Sequence, residues 1–300
     1  MNYDLVLLTE RQYISPKKVD WYVQQVLDED RIVKEALEAK GFKCLIKSWD
    51  DLDFDWSSTR YILFRTIWDY FYRYEEFIEW LNETKELTQM INPYEQIVWN
   101  VDKHYLRELE ENGVNIVPTH FIEAGTETTL AVEHKKLGWG KTVLKPCVSG
   151  GGRHTYLLNA GNLEEHEAVF KELIGSEAMM IQPFMENITT KGEVSHMVMG
   201  GTYTHSILKI AKEGDYRVQD DFGGSVHEYN ASKEEIEYAE SVTRACSPIP
   251  TYARVDVVWD NNQELALGEL ELIEPELWFR KSGTAADACA KAIQAFVARG

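Results

Sequence analysis

Near its C-terminal end the chain reads Ala253-Arg-Val-Asp-Val-Val-Trp-Asp-Asn-Asn-Gln-Glu-Leu-Ala-Leu-Gly-Glu-Leu-Glu-Leu-Ile-Glu-Pro275. Two runs rich in valine and leucine flank the turn-forming residues Asp260-Asn261-Asn262, which predicts a β-hairpin. Because side chains alternate along a strand, the apolar residues face a core and the polar residues gather on the opposite face. The hairpin therefore presents a polar face close to the turn.

That polar face carries three carboxylates, those of Asp256, Glu269 and Glu271, with Arg254 on the same side as Asp256. Such crowding is unfavourable unless a cation occupies the gap, and oxygen ligands favour a hard ion, Mg²⁺ or Mn²⁺. We interpret the three carboxylates as candidate metal ligands. The alternative is the solvated outer face of an edge hairpin.

The composition is that of a globular protein, with 300 residues of which 44% are hydrophobic and 12% aromatic. The formal charge of -19, from 50 acidic and 31 basic residues, argues against nucleic acid or an anionic membrane surface as a partner. The sequence has no Cys-x-x-Cys, no signal-peptide pattern and no apolar run of about 18 residues, which predicts a cytoplasmic protein. The sequence is compatible with a homo-oligomer.

Residues 1–95 alternate predicted strands and helices, which indicates a small open parallel sheet in an N-terminal α/β domain. The predicted strands cover residues 5–9, 42–46 and 61–66, and the predicted helices cover residues 20–40 and 75–83. Ligands bind beyond the carboxyl ends of such strands, so Arg65, Trp68 and Asp69 form a candidate substrate-binding loop. Alternatively, Trp68 only packs, and Arg65 forms an ion pair with Asp69.

Two further modules are predicted, over residues 96–185 and 186–300. The first contains a helix over 102–111, a strand over 115–121, two strands between 142 and 158, a helix over 162–174 and a strand over 178–184. The second contains strands over 194–199 and 202–210, a helix over 233–246, the hairpin and a final helix from 285. The predicted fold class is α/β, with α+β character after the first domain.

A glycine-rich turn follows the strand that ends at Lys145, in the order Ser149-Gly150-Gly151-Gly152. Glycines let successive backbone N–H groups approach an anion, and the lysine supplies charge, so this segment can hold a phosphate. It is not a P-loop, because the lysine precedes the glycines. The alternative is a flexible hairpin tip.

Further charged and glycine residues suit a nucleotide site. Lys209 ends another apolar strand, and Arg217 and Gly223–Gly224 follow, so they combine charge with backbone donors for a charged reaction centre. In the crossing segment Gln182-Pro183-Phe184, backbone groups suit a purine edge, and Phe184 offers a ring to stack on it. Glu193 lies close enough to accept hydrogen bonds from ribose. The alternative is a surface hairpin with solvated charges.

The order of these motifs resembles the ATP-grasp ligase superfamily, and most closely its glutathione synthetase and ribosomal-protein glutamate ligase group. The resemblance covers residues 103–275 and implies that two subdomains sandwich the nucleotide. It implies phosphate contacts from Lys103, Lys145 and Lys209, a lid of Ser149, Gly150, Gly151 and Gly152, an adenine hinge of Gln182, Pro183, Phe184 and Met185, and a ribose contact from Glu193. It also implies that Arg217, Gln219, Gly223 and Gly224 flank the reacting group.

Two positions depart from the superfamily pattern. Gln219 stands where the family usually has asparagine, and the hairpin has Glu269-Leu-Glu271 followed by Glu274 where the family usually has Glu-x-Asn. Either Glu271 or Glu274 therefore completes the metal site. The variant hairpin and the loop at residues 65–69 resemble the cyclo-ligase subset of the D-cycloserine pathway.

The resemblance implies an ADP-forming, ATP-dependent ligase that makes a carbon–nitrogen bond. A carboxylate becomes an acyl phosphate and an amine or another nucleophile captures it, with Mg²⁺ or Mn²⁺ present and Arg217 and Arg254 as catalytic residues. The implied substrates are small amino-acid-like molecules or peptides. An ATP-grasp kinase and a nucleotide-binding regulatory module without turnover are the alternatives.

Overall fold

The computed structural model describes residues 1–218 and 223–299. The N-terminal strands are β1 (Tyr3–Thr9), β2 (Cys44–Ser48), β3 (Thr59–Thr66) and β4 (Gln89–Ile91), and the helices are α1 (Arg11–Ile14), α2 (Trp21–Ala39) and α3 (Tyr74–Thr84). The strands form a parallel sheet in the order β2-β1-β3-β4, which confirms the predicted open sheet. The side chain of Asp20 caps α2 by accepting bonds from two backbone N–H groups, and Gly41, at a φ of 92°, follows its end.

The second sheet is antiparallel. Its strands are β5 (His120–Ile122), β6 (Lys141–Pro146), β7 (Tyr156–Asn159) and β8 (Met179–Pro183), in the order β5-β8-β6-β7. The helices of this part are α4 (Tyr94–Val101), α5 (Tyr105–Glu111), α6 (Leu130–Leu137) and α7 (Leu163–Ile174).

Two predictions in this part need correction. The helix predicted over 102–111 begins later, at Tyr105, and a separate α4 precedes it, because Asp102 has an extended backbone that interrupts the helical path. The strand predicted over 115–121 is also wrong in extent, since only residues from His120 onward join the second sheet. Ile116 instead forms a bridge to Leu267 of the hairpin.

The third sheet contains the hairpin. Its strands are β9 (Glu193–Met199), β10 (Thr202–Ile210), β11 (Ser225–Tyr229), β12 (Tyr252–Trp259) and β13 (Leu265–Glu271), in the antiparallel order β11-β10-β9-β12-β13. The helices are α8 (Ile188–Lys191), α9 (Lys233–Arg244) and α10 (Ala285–Val297), and short 3₁₀ turns cover Trp56–Ser58, Tyr70–Tyr72 and Phe279–Lys281. The predicted hairpin is confirmed.

One hydrophobic core joins the first sheet to the third. Leu5 and Leu7 of β1 belong to the same buried cluster as Met197 of β9, Ile207 of β10 and Ile293 of α10. This shared core brings the carboxyl ends of β1 and β3 beside the hairpin. The domain limits near residues 95 and 185 stay predictions. Among the described helices, none combines the length and apolar character that a membrane span requires.

Candidate active site

A cleft of about 560 Å³ lies where residues of the three sheets meet, within the range of roughly 300–1,000 Å³ common for small-ligand pockets. It brings together most of the residues that the sequence analysis singled out. These are Trp68, Asp69, Lys103, Lys145, Ser149, Gly150, Gly151, Gly152, Gln182, Pro183, Phe184, Met185, Glu193, Lys209, Arg217, Arg254, Asp256, Glu269 and Glu271. Their individual roles remain predictions.

Asp256 is the most enclosed carboxylate of the cleft, with 3% of its surface exposed. Arg254 donates from Nε and Nη2 at 2.8–3.2 Å, Lys209 Nζ donates at 3.2 Å and Ser195 Oγ at 2.5 Å. Burial opposes ionisation, but the guanidinium of Arg254 and the ammonium of Lys209 hold the pKa of Asp256 well below its usual range. Asp256 is therefore an ionised group with several donors already on its oxygens.

The other hairpin carboxylates are less completely paired. The strand register sets Asp256 opposite Glu269 and Arg254 opposite Glu271, and Arg254 forms an ion pair with Glu271. Burial, with neighbouring carboxylates, raises the pKa of Glu271 to about 8 even though Arg254 opposes the shift, and burial raises the pKa of Glu274 to about 7. Carboxylates that hold protons this tightly are short of positive charge, and a hard divalent cation would supply it. This oxygen donor set therefore fits Mg²⁺.

Buried polar side chains from α4 and α5 fix the outer edge of the hairpin. Asn100 donates to the carbonyl of Leu270 and accepts from the N–H of Leu272, both at 2.8 Å. The hydroxyl of Tyr105 accepts from the N–H of Leu270 at 2.9 Å. These bonds flank Glu269 and Glu271 along the strand and so set their position. Asn100 was not among the predicted site residues, although it is a polar residue within the apolar stretch that forms α4.

Replacing Asn100 by alanine is expected to lower the free energy of unfolding by about 2–4 kcal/mol, because two buried backbone groups of β13 lose their partners. Urea unfolding followed by circular dichroism measures the change. Asn230→Ala, at an exposed position between β11 and α9, is the matched control and is expected to stay within about 0.5 kcal/mol of the wild type. An equal, small effect of both substitutions would contradict the positioning role of Asn100.

Three lysines reach the cleft in different electrostatic settings. Lys103 Nζ lies 3.0 Å from Glu269, and Lys209 forms ion pairs with Glu193 and Asp256. Lys145, by contrast, has no carboxylate within ion-pair distance among residues 1–218 and 223–299. Burial lowers the pKa of Lys145. Of the three lysines Lys103, Lys145 and Lys209, Lys145 is thus the one whose ammonium group has no carboxylate partner among the described residues.

The glycine-rich loop lies against the N-terminal domain. Lys103 Nζ donates to the carbonyl of Ser149 at 2.5 Å. A Cβ atom on Gly150 would lie 2.6 Å from Cε1 of Phe71, so only glycine permits this approach, while Gly151 and Gly152 adopt φ values of 56° and 71°. The loop therefore closes one wall of the cleft together with Phe71, a contact that the sequence analysis did not foresee.

The predicted adenine hinge lies in an apolar part of the cleft. Its neighbours in the lining are Val117, Val143, Ile188 and Val258. The N–H of Phe184 donates to the backbone carbonyl of Lys141, and the carbonyl of Phe184 accepts from the side-chain amide of Asn261. Within the described part of the chain, the N–H of Met185 has no acceptor. Met185 is thus the hinge residue with a backbone donor still available.

The prediction that Arg65 binds substrate is wrong. Its side chain is 1% exposed, its Nε lies 4.0 Å from Asp30 of α2, and its guanidinium lies over the ring of Phe279. Because β3 continues to Thr66, strand alternation turns Arg65 toward the helix-covered face, and the cleft begins only at Trp68. The alternative pairing of Arg65 with Asp69 is wrong as well.

The remaining predicted residues have mixed outcomes. Asp69 lines the cleft, but it accepts from Trp49 Nε1 and Arg73 Nη1, both at 2.8 Å. Gly223 and Gly224 are not among the described lining residues, and Gln219 lies outside the described residues. The lining also includes Glu10 and Glu274 and several aromatic residues of the N-terminal domain. Glu10 was predictable as a cleft residue, since it directly follows β1 in the same way that the candidate substrate loop follows β3.

A second group of ligand-type side chains lies behind the lysines. Asp102, His104 and Cys147 bring one atom each within 4.8 Å of one another. Asp102 is hydrogen-bonded to the ring of His104 at 2.6 Å, and burial raises the pKa of the Cys147 thiol well above its usual value. The other ring nitrogen of His104, Nε2, lies 3.3 Å from Glu123, so both nitrogens of this ring face carboxylates, and we assign no metal to this group. Cys147 instead accepts from the N–H of Lys103 through its carbonyl at 3.0 Å.

Comparison with known proteins assigns the class. Residues 114–264, half of the chain, match the family described as prokaryotic glutathione synthetase, ATP-grasp domain. The chain therefore belongs to the ATP-grasp family, and it is an ATP-dependent ligase of the carbon–nitrogen bond-forming class. The fold class and family inferred from the sequence are confirmed.

More specific similarities extend to the N-terminal domain. Residues 5–92 match the family described as D-cycloserine synthetase DcsG, N-terminal domain. The cycloserine biosynthesis protein DcsG of Streptomyces lavendulae is 27% identical over 256 residues, covering 81% of this chain and 85% of the relative. The crystal structure of D-cycloserine synthetase DcsG superposes with a TM-score of 0.85 at 24% identity, covering 97% and 99% of the two chains. The D-alanine–D-alanine ligase of Bacillus anthracis gives 0.64 at 13% identity, covering 99% and 97%.

Proposed function

We propose that this ligase activates the carboxylate of a small amino-acid-like molecule as an acyl phosphate and then joins it to a nitrogen nucleophile. A carboxylate oxygen attacks the γ-phosphorus, the bond from that phosphorus to the bridging oxygen of ADP breaks, and ADP leaves. The nitrogen then attacks the acyl carbon, phosphate departs with the carbon–oxygen bond electrons, and the nitrogen loses its proton to solvent. The relatives named D-cycloserine synthetase and D-alanine–D-alanine ligase support a substrate of this size.

The observation that carries the proposal is the position of Lys145, whose strand pairs with the strand that leads into the hinge and whose ammonium shares the cleft with Glu269 of the hairpin. Its ammonium lacks an ion pair within the described residues, and the phosphate groups of ATP would provide one. The apolar hinge suits adenine, and the N–H of Met185 is available for a ring nitrogen. The nucleotide would therefore lie with its base at the hinge and its phosphates toward the hairpin.

The hairpin would serve the reacting end of the nucleotide. Asp256 and Glu269, with Glu271 or Glu274, would hold Mg²⁺, which neutralises charge on phosphate oxygens when bound. Arg254 lies against Asp256 and Glu271, and its fixed guanidinium suits the charge that develops on the acyl phosphate. Arg217, whose guanidinium forms an ion pair with Asp215 at 2.8 Å, also lines the cleft and suits the same role.

The ligase reaction is tested by ADP release and by trapping with hydroxylamine. The purified protein is given ATP, Mg²⁺ and one carboxylate at a time from a panel of amino acids, ureido amino acids and dipeptides. An acyl phosphate predicts substrate-dependent ADP release and a hydroxamate of the same carboxylate. ADP release without hydroxamate would indicate a kinase, and no substrate-dependent ADP release would indicate a regulatory nucleotide-binding protein. Either result would overturn the proposal.

A further inference from the structure

The carboxyl ends of β1 and β3 place a carboxylate beside aromatic rings at the cleft wall. Glu10 directly follows β1, its N–H donates to the carbonyl of Thr66 at 2.9 Å, and its carbonyl accepts from the N–H of Tyr13 at 3.0 Å. Since Thr66 ends β3, Glu10 is held next to the segment that carries Trp68. Both Glu10 and Trp68 line the cleft. The sheet topology thus makes one wall from two strand ends.

Three aromatic side chains form a corner at this wall, which we call the aromatic corner: Tyr13, Tyr22 and Trp68. The rings of Tyr13 and Trp68 meet edge to face at 6.1 Å, and the rings of Tyr22 and Trp68 lie 6.5 Å apart. Trp68 Nε1 donates to the carbonyl of Glu274 at 2.9 Å. This bond joins the aromatic corner to the carboxylate hairpin, so the corner borders the position of the reacting group.

The carboxylates near the corner differ in what they already bind. Asp69 accepts from Trp49 and Arg73, and Glu276 accepts from Arg280 at 2.6 Å. No lysine or arginine nitrogen of residues 1–218 and 223–299 lies within ion-pair distance of Glu10. Burial raises the pKa of the half-buried Glu10 carboxyl group, although a hydrogen bond with the side chain of Gln12 and the more distant charge of Arg73 oppose this shift. Of the three carboxylates Glu10, Asp69 and Glu276, Glu10 is thus the one without a lysine or arginine at ion-pair distance among the described residues.

Resting on the function proposed above, we propose that Glu10 and the aromatic corner bind the ammonium group of the amino-acid substrate. A carboxylate supplies a charge-assisted hydrogen bond, and electron-rich ring faces attract a cation that approaches them. The substrate carboxylate would then extend toward the hairpin, where the phosphate of ATP would be transferred. This assignment moves the amine-binding role from Asp69, whose oxygens are already engaged, to Glu10.

Binding is the direct test, because it does not depend on turnover. Serine and alanine, in both stereochemical forms, are titrated by calorimetry against the protein with a non-hydrolysable ATP analogue and Mg²⁺, beside their N-acetyl derivatives. We expect the free amines to bind at least roughly 10-fold more tightly than the N-acetyl forms, and Glu10→Gln to abolish that preference. Glu79→Gln, at an exposed position on α3, should retain the preference, and both variants should keep the melting temperature of the wild type.

The outcomes separate this inference from the proposed reaction. Equal binding of free and acetylated amines by the wild type, no binding of any of these compounds, or a preference that survives in Glu10→Gln would overturn the role of Glu10. Hydroxamate formation with a carboxylate that has no amine would leave the ligase reaction standing in each of those cases. Loss of the preference in Glu10→Gln alone, with unchanged affinity for the ATP analogue, is the result that the structure predicts.

Discussion

Replacing Lys145 by methionine is expected to weaken binding of an ATP analogue by roughly 10- to 150-fold, the equivalent of a lost charge-assisted bond of about 1.5–3 kcal/mol. The fold should be unaffected or slightly stabilised. Burial lowers the pKa of Lys145, so at neutral pH the folded protein holds this charge at a cost that methionine removes. Calorimetric titration and the melting temperature measure the two effects.

Lys209→Met is the matched control for that substitution. This lysine forms ion pairs with Glu193 and Asp256, so its loss leaves buried carboxylates short of a cation. We expect a fall of about 3–5 kcal/mol in the free energy of unfolding, which Lys145→Met should not cause. If both substitutions destabilise the fold equally, or if Lys145→Met leaves affinity for the analogue unchanged, the assignment of Lys145 to the phosphates is wrong.

Glu269→Gln should have the second large effect. The substitution keeps the shape of the side chain but removes one of the charges proposed to hold Mg²⁺. Loss of a residue that hydrogen-bonds a metal ligand typically lowers metal affinity by roughly 10- to 100-fold. Loss of a charge on the ligand itself should therefore raise the Mg²⁺ concentration for half-maximal ADP release by more than about 100-fold. Magnesium titration of the initial rate, at saturating ATP, measures this change.

The control for Glu269→Gln is Glu264→Gln, an exposed position in the turn before β13. It lies near the same hairpin but outside the cleft lining, so its magnesium dependence should match that of the wild type. A wild-type magnesium dependence in Glu269→Gln would remove Glu269 from the metal site. A parallel loss in both variants would point to damage of the hairpin as a whole.

The hairpin was predictable because its information is local. Alternation of valine and leucine with charged residues sets the two faces, and the turn residues bring the strands together, so the convergence of Asp256, Glu269 and Glu271 on one face followed from the sequence. The exact pairs, Arg254 with Glu271 and Asp256 with Glu269, depend on a register irregularity after Asp256 that the sequence did not predict. The glycine-rich turn and the parallel N-terminal sheet also rest on local patterns. These are the features that the structure confirms.

The sequence was less informative where distant parts of the chain determine the direction of a side chain or its hydrogen-bond partners. Arg65 was placed in the cleft by the rule for strand ends, but the direction of its side chain depends on α2 and Phe279 covering that face. Asn100 fixes strand β13 through a hydrogen bond to Leu270, 170 residues away in sequence, and no local sequence pattern predicts this contact. Asp69 does line the cleft, and its substrate role stays a prediction, but the structure adds a bond from Trp49 that the local sequence did not show.

Transfer of oxygen-18 from the substrate tests the central claim most directly. The carboxylate that gives the strongest ADP release is labelled in both carboxyl oxygens, and the inorganic phosphate formed with ATP and Mg²⁺ is analysed by mass spectrometry. Because the acyl phosphate carries one carboxyl oxygen to phosphorus, one labelled oxygen is expected in each phosphate released. Phosphate without label, formed while the product accumulates, would contradict activation of the substrate through an acyl phosphate.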